Sequence, residues 1–106
     1  MNLSTMYENI AKCDHSIEVV KECGKHLLDN YGNNEGVFFE FIARVVVCYD
    51  MMKKTVETVG STETLDLCGI EEKNEFINLF KAFLEKAEKD RLEINGMIET
   101  FKKRLT

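Results

Sequence analysis

The chain has 106 residues, no proline and a formal net charge of -5. That length makes one domain, 1–106, with a modest core. The acidic balance excludes the basic face of a dedicated nucleic-acid binder. The charge is mixed rather than blocked: residues 1–36 carry six acids and three bases, 37–60 three of each, and 61–106 ten acids and eight bases.

Abundant Glu, Lys and Leu without proline favour long uninterrupted helices. The first ten residues hold no lysine or arginine and no long apolar run, which is not a signal-peptide pattern. The most apolar stretch, 37–52, is cut by Glu40, Arg44 and Asp50 and does not suit a bilayer, so no membrane partner is expected. Without a secretion signal, Cys13, Cys23, Cys48 and Cys68 read as reduced thiols in a cytoplasmic protein.

The first helix is predicted over about 4–31. Leu3, Met6, Ile10, Cys13, Ile17, Val20, Gly24, Leu27 and Tyr31 alternate by three and four, a heptad seam. Gly24 on that seam suits a close helix crossing, and Gly32 suits the residue that follows a helix end. The short polar connection at 33–36 makes the next helix an antiparallel neighbour.

The second helix is predicted over about 36–59. Its apolar face runs through Phe38, Phe41, Ile42, Val45, Tyr49, Met52 and Val56. Phe39, Val46, Val47 and Met51 continue the apolar character round its sides, so it reads as the central helix, covered from several directions. Contact with the two other helices accounts for Phe39 and Val46. Val47 and Met51 lie beside Glu40 and Arg44, a favourable i,i+4 pair that marks the outer strip, and read as a protein contact.

The longest connection spans 60–70, with one helical turn expected at 62–67 and Leu65, Leu67 and Ile70 tucked against the bundle end. The third helix is predicted over about 70–105. Its seam is Ile77, Phe80, Leu84, Ala87, Arg91, Ile94, Ile98, Phe101 and Leu105, thickened by Phe76, Phe83 and Met97. Asp90 and Arg91 interrupt it and suit a polar register device. Asn95-Gly96 is a stop signal, but the heptad phase continues through it, which favours one long helix.

The expected fold is therefore all-α, an antiparallel bundle of three long helices. At about 1.5 Å per residue the third helix outruns the others by roughly 10–15 Å. In an up-down-up bundle its end then runs past the loop at 32–36 and leaves Ile94, Ile98, Phe101 and Leu105 without cover from the same chain, and such a stripe meets a partner. A homodimer is the expected partner state.

His15, Glu18, Glu22 and His26 share one face of the first helix. One metal cannot reach both histidines, which are about 16 Å apart along the axis, and each end offers only two ligands. The face reads as solvated, with no metal and no cofactor. Cys23 and His26 lie within one turn, but Cys23 reads as a small hydrophobe flanking the seam. No nucleophile–base–acid set, phosphate loop or paired-cysteine zinc pattern is present, so no enzyme is expected.

In composition alone the chain resembles small acidic helical proteins of phages and mobile elements; no motif carries the likeness. The expected role is a protein-binding module, an adaptor, inhibitor or regulatory subunit acting on another protein through helix faces. The competing expectation is a bundle holding a metal ion or an apolar ligand among its phenylalanines.

Overall fold

A computed structural model describes residues 3–59 and 69–106. The turn expected at 62–67 and the placements of Leu65, Leu67, Ile70 and Cys68 lie outside what it describes. The described residues form three helices, α1 (Leu3–Tyr31), α2 (Glu35–Val59) and α3 (Ile70–Leu105). The fold is an all-α bundle, 54 Å long and about 18 Å across.

Local chemistry fixes the helix boundaries. Asn34 caps α2: its Oδ1 accepts from Val37 N at 3.0 Å, satisfying an otherwise orphaned donor of the first turn. At α3, Glu71 and Glu72 open the helix and Lys102, Lys103 and Arg104 close it, each sign matching the helix dipole. The helix runs unbroken through Asn95-Gly96, where Thr100 Oγ1 donates to Gly96 O at 2.9 Å. Gly32 follows the end of α1 as expected, without the left-handed conformation common at that position, since no described glycine has positive φ. What it provides is room: the Arg104 side chain occupies the space a Cβ would take.

The organising helix is α1, not α2. Both α2 and α3 pack along α1 and meet each other more sparsely. α1 buries its expected seam at Met6, Ile10, Cys13, Ile17, Val20 and Gly24. α2 answers with Phe41, Val45, Cys48, Thr55 and Val59. Its flanks stay in water: Phe39 is 60% and Val46 61% exposed, so the expected third-helix contact does not cover them.

Small residues make the crossing tight. A Cβ at Gly24 would lie 2.5 Å from Met97 Sδ and 2.8 Å from Phe41 Cζ. Both side chains are buried and have little room to retreat. Overpacking of this kind costs about 1–3 kcal/mol, partly offset by about 1 kcal/mol of helix propensity. Gly24→Ala is therefore expected to lower the urea midpoint by the equivalent of up to about 2 kcal/mol. A variant more stable than wild type would show that the crossing has slack.

The seam of α3 lies one residue to the side of the expected one through its middle. Phe76, Phe83, Ala87, Asp90, Ile94, Met97 and Phe101 are buried, while Leu84 and Arg91 are exposed. The apolar face of α3 is two residues wide, and α1 takes the stripe that brings Asp90 to Lys21. Lys21 Nζ donates to Asp90 Oδ1 at 2.8 Å and pairs with Glu93 at 3.0 Å. Lys86 Nζ donates to Asp90 Oδ2 at 2.9 Å, and to Asp14 Oδ1 and Glu18 Oε1 at 2.8 Å each. Burial pushes the Asp90 carboxyl up, but the two ammonium groups outweigh it and hold the carboxyl below its ordinary range. Lys21 is pushed up, chiefly by its hydrogen bonds to Asp90 and Glu93. No buried side-chain polar atom among the described residues lacks a partner.

This register overturns the expected overhang. Tyr7 and Phe76 meet edge to face at 5.8 Å near the start of α1. At the other end Arg104 Nη1 donates to Leu28 O at 2.6 Å, so α3 finishes beside the last turns of α1. Ile94 and Phe101 are fully buried within one chain, Ile98 packs against the core and Leu105 is half-buried. The Phe101 ring sits 5.5 Å from that of Phe38 and 5.6 Å from that of Phe41. The exposed turn is instead the first one, at Glu71, Glu72, Asn74 and Glu75. The reason is solvation: a polar turn stands in water at little cost, and an apolar one does not.

Candidate functional site

The outward face of α2 carries Glu40, Ala43, Arg44, Val47, Asp50, Met51 and Lys54, all exposed. Their spacings of three and four put them in one stripe. Val47 is 67% and Met51 40% exposed, as the sequence places them. Two ion pairs frame them: Arg44 with Glu40 at 3.5 Å, and Lys54 with Asp50 at 3.0 Å. Each pair is four residues apart and holds its side chains along the helix, leaving the valine between them unobstructed.

Beside this stripe α1 and α2 form an open, mainly apolar groove lined by Val19, Val20, Ala43, Val47 and Cys48, with Ser16, Glu40 and Arg44 at its edges. A second hollow continues it toward the end of α2, lined by Asn9, Val47, Met51, Thr55 and Thr58 among others. Val47 belongs to both. Sequence reasoning missed Val19, which is half exposed. The signal was present: Val19 stands next to the seam residue Val20 but roughly 160° round the helix from Ile17, where an isolated apolar residue gains nothing from the core.

The other four residues expected at a partner surface do not join this face. Ile94 and Phe101 are core residues, and Ile98 and Leu105 complete the packing at that end of the bundle. Phe39 and Val46 form a separate exposed pair on the opposite flank of α2, and Leu79, Leu84 and Leu92 are exposed on α3.

The histidine face of α1 is divided. His15, Glu22 and His26 are exposed, and Asn30 Nδ2 lies 3.2 Å from His26 Nδ1. Glu18 turns toward α3, where its hydrogen bond from Lys86 holds its carboxyl below the ordinary range. Among the described residues no group of three or more His, Cys, Asp and Glu could hold a metal ion. No described helix is long and apolar enough to cross a membrane.

Cys13, Cys23 and Cys48 are free thiols, the first and third buried. Burial raises the pKa of both buried thiols, so little thiolate is present near neutral pH. An aromatic disulfide reagent is expected to modify Cys23 well before Cys13 and Cys48 in the native protein. Denatured without reductant, the chain should show about four thiols if it is kept reduced. Rapid native labelling of Cys13 or Cys48 would contradict their burial.

No family model, curated protein or solved structure matches this chain. The face just described is therefore read on its own chemistry.

Proposed function

We propose that this protein is a binding module without catalytic chemistry, and that it acts on another polypeptide through the outer face of α2 and the adjoining α1–α2 groove. The observation that carries the reading is Val47, two-thirds exposed between two i,i+4 ion pairs and lining both hollows. An apolar patch with a charged rim is the anatomy of a protein interface. An adaptor, inhibitor or regulatory subunit in the cytoplasm fits this arrangement.

The test compares Val47→Lys with Met51→Lys in one variant against Leu92→Lys as control, since all three side chains are exposed and none is in the core. Both variants are expected to keep wild-type helicity. The first should lose the partners that tagged wild type retains from its native cell, and the second should keep them. Equal retention by all three would exclude this face.

A further inference from the structure

A further hollow lies between α1 and α3. Tyr7 and Ala11 of α1 line one side of it, Leu79 and Ala82 of α3 the other, over the core residues Ile10 and Phe83. Asp14 and Lys86, paired at 2.8 Å, close one end. Ala11, Leu79 and Ala82 are exposed. The two alanines keep the lips low, which lets a further helix come close. The hollow is open and holds about 330 Å³, the bottom of the range for small-molecule pockets, which enclose most of their ligand. It suits apolar side chains presented by a docked helix better than a free small molecule.

The charge around this groove is one-sided. Glu72, Glu75, Leu79, Ala82 and Lys86 follow one another by three, four, three and four, and so fall within about 80° round α3. The two carboxylates therefore continue the groove toward the start of α3, on the same face as its apolar lip. Both are exposed, and among the described residues neither has an ion-pair partner. The helix dipole accounts for an acid in the first turn but fades before Glu75. Lys86, the base that lines the groove, stands about 16 Å from Glu75 along the axis and is shared by Asp14, Glu18 and Asp90. The unanswered charge beside the groove is negative.

We infer that the α1–α3 groove binds a basic amphipathic helix of another polypeptide. Its apolar residues, three or four apart, seat between Ala11 and Ala82, and its lysines or arginines lie one to two turns beyond Leu79, over Glu75 and Glu72. This surface is distinct from the α2 face and does not depend on it. Apolar anchors in a groove hold such a helix. The two acids set its direction and turn away an acidic helix of the same shape. The net charge of -5 steers the same class of partner toward the chain.

The probe is a capped helical peptide of about 18 residues, with leucines at three- and four-residue spacing on one face and lysines in its last two turns. Its twin carries glutamates in place of the lysines. Binding is followed by fluorescence anisotropy in about 0.15 M salt, where long-range attraction is screened. The lysine peptide is expected to bind saturably and at least about tenfold more tightly than its twin. Ala82→Arg fills the groove from an exposed helical position and should weaken the lysine peptide by about tenfold or more, with helicity unchanged. Glu72→Gln with Glu75→Lys leaves the groove open and should narrow or reverse the preference between the two peptides. Val47→Lys with Met51→Lys should bind as wild type does. A lysine peptide that binds more weakly than about 1 mM overturns the inference, as does equal affinity for the twin. Binding that survives Ala82→Arg would be unspecific attraction to an acidic chain, and binding lost with the α2 variant would belong to α2; either result overturns it. Light scattering of the protein alone covers the remaining occupant: self-association that Ala82→Arg abolishes would put a second copy in the groove and overturn the basic helix.

Discussion

Phe101→Ala is expected to lower the free energy of unfolding by about 3–5 kcal/mol, the range for removing a fully buried aromatic ring. Phe101 is completely buried and joins all three helices: its ring lies against Phe38 and Phe41 of α2, and Phe41 in turn fills the space over Gly24 of α1. The surrounding side chains are themselves mostly buried, so the cavity has little room to collapse. Urea denaturation followed by helical circular dichroism gives the value. A loss under about 0.5 kcal/mol, typical of a surface position, would mean that the end of α3 is not packed as described. Phe101→Glu is expected to unfold the protein outright, because it would bury a charge with no partner.

Asp90→Ala is expected to cost about 3 kcal/mol, the lower end for breaking a buried ion pair by removing one partner. Asp90 and Lys21 are both nearly enclosed, with 6% and 12% of their side chains exposed. Lys21 keeps Glu93 and Glu18 nearby, which moderates the loss. Lys86 is half in water and contributes less. Replacing both buried partners, Lys21→Met with Asp90→Leu, should restore much of the stability, since apolar packing often matches a buried ion pair. The linkage to pH has a definite sign. The folded-state carboxyl of Asp90 is depressed, so its contribution is present above the ordinary carboxylate range and is lost as pH falls through the depressed value. Wild type should therefore lose stability between neutral and strongly acidic pH, and Asp90→Asn should show a smaller loss over the same interval. Parallel pH profiles of wild type and Asp90→Asn would contradict this role.

The three helices were legible because their periodicity, end charges and lack of proline all agree. The seam of α1 was legible from Met6 to Gly24, since its apolar stripe is narrow; Tyr31, expected at its end, is half exposed, and the side chain of Leu3 lies outside the described residues. The face of α3 was not, because a stripe two residues wide fits two seams. The choice between Asp90 and Arg91 depends on where Lys21 lies, which is a contact across helices. Which helix is central was misjudged for a related reason. Apolar content suggests burial, yet α2 holds its excess at Phe39, Val46, Val47 and Met51 in water. Helix lengths could not say which end of α3 projects; the polarity of its first turn could have. Of the candidate site, Val47 and Met51 were readable from their place beside Glu40 and Arg44. Val19 was readable only as an isolated apolar residue off the seam, because the groove that gives it a use is made by α1 and α2 together.

The central claim is that the outer face of α2 meets another polypeptide. Photo-crosslinking amino acids placed singly at Val47, Met51 and Leu92 in the native cell test it most directly. Adducts to a polypeptide are predicted at Val47 and Met51 and not at Leu92. Absence of adducts at both α2 positions, or equal yield at Leu92, would contradict the claim.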